Sequence, residues 1–430
     1  MYQAHGLGGR SDLPVPLWLA VYAGTAAVVF SFVALNALWH QPRFDPAAGR
    51  LMPRPLQQVL DAGLLRRLAS ALGLAGGAFV LGTAWFGSRD VADNPAPTLL
   101  FVWFWVGLVP ASLLFGPVVR LTSPLRTVAR WLGGATEYRS LPAWIGRWPA
   151  VLSLLSFLWL ELVDDRGSEP RTVALFLTVY AVVHIGFGTV FGPRWFERGE
   201  GFEAYSSFVG LMAPLARRAD GRWVLRNPLA GLSLAPAGHL APIACVLLGS
   251  TAFDGLSRTS EWKDLTLNTA RASYLLSGTL GLLGAIGLVA LVYLTAVQLT
   301  RRYARGRPPL AERFVHSLVP IVCGYTVAHY FSFAVFQGQA AVTLLSDPLG
   351  RGWDLFGTAG ERIDYTVVST AAIAVVQVGA IVTGHVLGVA AVHDRALQVL
   401  SRRSTRTGQV PLLAAMVGFT MAGIALVVGS

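Results

Sequence analysis

The chain has 430 residues, of which 54% are hydrophobic and only 13% charged, with a formal net charge of +11. So little charge is too low for a water-soluble domain of this size. The two cysteines, Cys245 and Cys323, both sit in apolar runs, which leaves no disulfide framework, CxxC pair or zinc knuckle.

Residues 1–12 contain no apolar stretch of the kind a signal peptide needs. The text from His5 to Pro16 then combines five glycine and proline punctuation points with His5, Arg10 and Asp12. Glycine permits close backbone approach, and proline fixes the entry into the first helix. Two readings stand: an ordinary N-terminal cap, or a flap that brings imidazole and carboxylate over the mouth of the protein.

Ten apolar runs follow, at 15–39, 68–88, 97–119, 144–163, 172–193, 232–253, 273–299, 314–336, 366–392 and 410–428. Runs of about 20 apolar residues cross a hydrocarbon core of about 30 Å as helices. The expected fold is therefore all-α: a single integral-membrane domain over 1–430, a polytopic bundle of about ten spanning helices. Trp103, Trp105, Trp144 and Trp148 read as interfacial belt residues. Gly73/Gly77, Gly278/Gly281/Gly284/Gly287 and Gly384/Gly388 recur at helix spacing and read as helix-packing sites. Between runs five and six, residues 202–216 carry apolar side chains three to four apart, ahead of Arg217 and Arg218. That pattern predicts an amphipathic helix lying at the interface, with its arginines on lipid phosphates. The uncharged stretch 314–346 is long for one crossing, and Gln337-Gly338-Gln339 predicts a helix end near Phe336. A shaped outer loop follows over 337–365, dense in Asp, Pro and Gly.

The loops sort by charge. Those at 40–67, 120–143, 194–231, 300–313 and 393–409 hold 24 basic and 9 acidic residues, whereas the N-terminus and the remaining loops hold 9 basic and 13 acidic. Orientation follows Lys and Arg, so the basic loops are expected in the cytoplasm, with both termini outside and the protein in the plasma membrane. The positive charge then retains loops, and nucleic acid is not an expected partner; the lipid bilayer is.

Function is expected in the few polar residues kept at membrane depth. There is no GxSxG elbow, HExxH pair or GxxxxGK[ST] loop, which argues against an α/β-hydrolase, a zincin and an ATPase. By topology His329 lies in the outer third and His184 near the middle, whereas His239, His316 and His385 lie toward the cytoplasm. Tyr325, His329 and Ser332 share one helix face. Glu161 and Asp254 stand at the same outer level. Together with His5, Asp12, Asp347 and Asp354 they make a candidate outward-opening site whose nitrogen and carboxylate donors suit a divalent transition metal such as zinc, manganese, iron or copper. Asp164, Asp165, Glu169 and Asp364 read as solvated loop charges.

Four segments carry a resemblance: HGLGGRSDLPVPLW at the start, AHYFSF at 328–333, SDPLGRGWDLFGT at 346–358 and TGHVLGVAAVHDRAL at 383–397. Over its length the chain resembles a family of bacterial polytopic membrane proteins known as fenitrothion hydrolase. The resemblance implies a membrane-bound hydrolase acting on a small apolar organophosphorus triester. That reaction needs an activated water and a polarised phosphoryl group, both of which a metal supplies. On this reading His5, His184 and His329 are metal ligands, and Asp12, Asp254, Asp347 and Asp354 are ligands or bases. Two other classes fit the same residues. A transporter of a small solute or metal ion would continue the polar track inward through Gln377 and His385. A haem- or metal-bearing redox protein would use His316 and His385, on different helices at similar depth, as axial ligands.

Overall fold

A computed structural model of the protein describes residues 16–45, 47–234, 240–306, 308–401 and 404–428. His5, Asp12 and His239, with the whole N-terminal flap, lie outside the described residues. Among the described residues nine helices are long and apolar enough to cross a membrane: α1 (Leu17–Leu38), α3 (Gly63–Phe86), α4 (Pro95–Phe115), α6 (Pro170–Phe191), α8 (Leu240–Ser257), α9 (Arg271–Arg301), α10 (Leu310–Ser346), α11 (Thr370–Val399) and α12 (Thr405–Val427). Three shorter helices matter below: α2 (Arg54–Asp61), α5 (Trp148–Leu162) and α7 (Gly201–Val209). The protein is an all-α, multi-pass membrane protein. Its outer surface says the same, since Phe30 and Leu72 are 74% and 73% exposed on α1 and α3. Apolar surface on that scale needs lipid around it.

The run at 144–163 gives less helix than its hydropathy promised. Gly146 takes a positive φ of 55° and the Arg147 guanidinium is held by the Glu197 carbonyl at 2.7 Å, so α5 starts only at Trp148. Its 15 residues reach about 22 Å, short of the roughly 30 Å core. Beside it packs α7, whose Gly201 amide donates to Ser153 Oγ of α5 at 3.0 Å. All but one residue of α7 are buried, so the expected interfacial helix is instead an internal one. Periodicity reported a covered face, and protein covers it on nearly every side. The chain then forms a three-stranded antiparallel sheet of β1 (Arg50–Leu51), β3 (Trp223–Leu225) and β2 (Leu215–Arg217), in that spatial order. Arg217 pairs with Asp61 and Arg218 with Asp220, so both have protein partners where lipid phosphates were expected.

The other differences have local causes. The helix does not stop at Phe336 but runs unbroken to Ser346. The side chain of Gln339 makes this possible: it donates to the carbonyls of Val335 and Asp364 and accepts from the Asp364 amide, all at 3.0–3.1 Å. Trp105 is 4% exposed and belongs to the core, whereas Trp103 is 58% exposed, because residues two apart face opposite sides of the helix. Gly384 and Gly388 pack as expected, whereas Gly284 and Gly287 have open space where a Cβ would be. A Cβ on Gly384 would stand 2.7 Å from the Pro320 carbonyl oxygen and 3.3 Å from Gly324 Cα. Gly384→Ala is therefore expected to destabilise the protein by about 1–3 kcal/mol, read as a lower melting temperature in detergent. An unchanged melt would mean that α10 and α11 tolerate separation.

The most enclosed spans are α8 and α10, with 72% and 61% of their apolar windows buried. They carry the polar residues of greatest interest.

Candidate functional site

Asp254 lies in the last turn of α8 and is 1% exposed. Just before it, the Ser250 and Thr251 hydroxyls donate to the Leu247 carbonyl at 3.0 and 2.9 Å, so they are spent within their own helix. One turn beyond Asp254, Arg258 returns its guanidinium, with Nε and Nη2 each 3.2 Å from a carboxylate oxygen. The spacing of four makes this pair a property of the helix. From α10, His329 brings Nε2 against Asp254 Oδ2, and Arg258 Nη2 stands 3.0 Å from the same nitrogen. A proton on Nε2 donated to the carboxylate leaves the lone pair on Nδ1, the basic atom of the ring.

The next residue, Tyr330, donates its hydroxyl to Glu161 Oε1 at 3.2 Å, and its ring meets that of His329 edge-on at 5.0 Å. Two acid pairs thus hang from consecutive residues of α10. Asp254, His329 and Glu161 are buried, whereas the Arg258 side chain keeps 28% exposure and covers the group. Earlier on α10, Leu318, Val319, Ile321, Val322 and Cys323 are buried in the main apolar core, and Thr326, between them and His329, shares a hydrogen bond of 3.1 Å with the Tyr205 hydroxyl.

The structure therefore joins His329, Asp254 and Glu161. Among the described residues it does not join the other candidates. Tyr325 turns to α12 and donates to the Phe419 carbonyl, and Ser332 is only half-buried. His184 belongs to a different network. Trp195 Nε1 donates to His184 Nδ1 at 3.1 Å, which places the ring proton on Nε2, 3.1 Å from Ser153 Oγ. Ser153 is 2.8 Å from the Tyr180 hydroxyl, which donates to Glu200. Every donor in this chain points toward Glu200, so the His184 lone pair is already used and the expected metal-ligand role fails. Nor can His184 act as base toward Ser153. Glu200 also accepts from the amides of Phe202 and Glu203 at the start of α7. Among the described residues no three His, Cys, Asp or Glu side chains gather closely enough to hold one metal ion.

Asp347 and Asp354 organise their own loop, which corrects their expected catalytic role. Asp347 accepts from the amides of Arg351 and Gly352 at 2.9 and 2.6 Å. Asp354 Oδ1 accepts from the Ala359 amide at 3.0 Å and the Ser346 hydroxyl at 2.7 Å. These donors hold both carboxyls below the usual aspartate range. Their contribution is thus present above the ordinary aspartate pKa and is lost as pH falls through the depressed values. Asp354→Ala is expected to speed amide exchange over residues 355–359, with little effect on any catalysis; a catalytic defect as large as that of an Asp254 variant would return Asp354 to the site.

The inner histidines do not form a haem slot. His316 Nε2 is 3.3 Å from the Ala391 carbonyl and His385 Nδ1 is 2.9 Å from that of Ile381. Between them α10 and α11 touch backbone to backbone, since a Cβ on Gly388 would lie 2.9 Å from the Ser317 carbonyl. No macrocycle fits there.

The residues missed in the sequence are Arg258, Tyr330 and the Ser153–Tyr180–Glu200 chain. The first was legible from its spacing to Asp254, the second from adjacency to His329. No family model matches this chain, and no curated protein or solved structure matches it.

Proposed function

We propose that the protein is an integral-membrane hydrolase of aryl phosphotriesters, the activity its resemblance to fenitrothion hydrolase implies. The observation that carries this reading is the Asp254–His329 pair under Arg258, at the end of α8. In the proposed reaction His329 Nδ1 takes a proton from water, Asp254 stabilises the imidazolium, and the water oxygen forms the new P–O bond. The bond to the aryl oxygen breaks, and the aryloxide leaves with its electron pair. Arg258 stabilises the charge that develops on the phosphoryl oxygen or sulfur.

The proposal includes the orientation given by the loop charges: basic loops in the cytoplasm, termini and site outside, in the plasma membrane. A divalent transition metal enters it only if His5 and Asp12 join Asp254 and His329; restoration of chelated enzyme by one added divalent ion supports that extension, and activity indifferent to chelation removes it. The main test is release of nitrophenolate from a nitrophenyl dialkyl phosphate by the protein purified in detergent. Turnover by the wild type that is lost in His329→Ala and kept in Ser332→Ala supports the reading. Absence of wild-type turnover, or turnover unaffected by His329→Ala, overturns it.

A further inference from the structure

The segment from the end of α1 at Leu38 to the start of α3 at Gly63 joins two spanning helices, so it lies at one boundary of the bilayer. Here α2 and the edge of the small sheet enclose an open groove of about 740 Å³, lined by Leu51, Met52, Arg54, Gln58 and Arg222 among others. The lining is mixed in character. Arg54 is exposed and Arg222 is half exposed, while Leu51 brings an apolar wall that is 39% exposed.

Charge around the groove is one-sided. Arg50, Arg54, Arg66 and Arg67 are all exposed, and among the described residues none of them has a carboxylate within ion-pair reach. The one acid in the lining, Asp61, is engaged by Arg217 and by the Trp223 indole. Along the same segment Leu56, Val59, Leu64 and Leu68 are 41%, 58%, 67% and 53% exposed. Leu56 and Val59 lie on the face of α2 turned from the groove, which takes Arg54, Gln58 and Asp61 from the other face and has Leu51 as its own apolar wall. A soluble anion would satisfy the arginines and leave the leucines uncovered. A zwitterionic lipid would cover the leucines and leave the net charge unmet.

We propose that this groove binds the phosphate headgroup of an anionic phospholipid, with Arg54 on the phosphate, Arg66, whose guanidinium reaches the Asp61 carbonyl at 3.5 Å, and its neighbour Arg67 adding positive charge, and the acyl chains leaving along the Leu51 wall toward the apolar face of the segment. Guanidinium groups match phosphate oxygens in paired geometry, and arginine stems bury along acyl chains while their heads stay at the headgroup level. The proposal is independent of the hydrolase reading and of which leaflet the groove faces.

The test uses the full chain in detergent, with phosphatidylglycerol retention read by native mass spectrometry against phosphatidylcholine. Preferential retention of phosphatidylglycerol that falls roughly fivefold in Arg54→Gln and further in Arg66→Gln/Arg67→Gln supports the site. Arg89→Gln, an exposed arginine in a loop outside this segment, is expected to leave retention unchanged. Equal retention of both lipids, equal loss in Arg89→Gln, or displacement of the lipid by millimolar inorganic phosphate overturns it. The last outcome would assign the groove to a free anion.

Discussion

Asp254→Asn is expected to lower turnover of an aryl phosphotriester by about 10²–10⁴-fold while leaving the protein folded. The carboxylate of Asp254 accepts from His329 Nε2, which keeps the lone pair on Nδ1. An amide can instead donate to Nε2, moving the ring proton to Nδ1 and removing the base without moving an atom. Asp254→Ala acts differently. It leaves the buried His329 and the 28%-exposed Arg258 with no carboxylate between them, which costs about 1–3 kcal/mol of stability. The two variants therefore separate catalysis from folding: asparagine affects rate, and alanine affects rate and melting temperature. Initial rates and thermal melts of both variants decide the matter. Wild-type rates in Asp254→Asn would remove the pair from the chemistry and leave it a fastening between α8 and α10.

That pair was the most legible part of the site, and the reason is physical. Loop charge sets orientation, orientation sets depth, and depth placed Asp254 and His329 at one level on different helices. Arg258 needed only the additional rule that residues four apart share a helix face. Burial by protein and burial by lipid, in contrast, produce the same hydrophobic pattern. That is why α7 read as an interfacial helix and the run at 144–163 as a full crossing. Carboxylates in a turn-rich loop pose a similar ambiguity. Asp347 and Asp354 have the composition of a catalytic cluster, yet their oxygens are occupied by amides four and five residues away, which only the folded loop reveals. His184 misled for a related reason: its depth was readable, but whether its lone pair was free depended on Trp195, 11 residues on.

The largest purely structural effect is expected at Glu203. Its side chain is fully buried in α7 and accepts from Arg126 through Nη2 at 2.7 and 2.9 Å and Nε at 3.1 Å, with Arg120 Nε at 3.3 Å. Arg126 is itself largely covered, so Glu203→Ala strands a guanidinium without its counter-charge, at a cost of about 3–5 kcal/mol. The loss falls where α7 packs on α5, so it is expected to release α7 and expose the Ser153–Glu200 network beneath. Thermal unfolding followed by size-exclusion chromatography measures it. The companion variant Glu203→Leu/Arg126→Met distinguishes charge from packing: an apolar pair of similar volume avoids desolvating two ions and is expected to recover much of the stability lost by Glu203→Ala. If instead the double variant is no better than the single one, the hydrogen-bond geometry itself, and not charge compensation, holds α7 in place. A wild-type melt in Glu203→Ala would sink both accounts and leave the short helix α5 supported by apolar contacts alone.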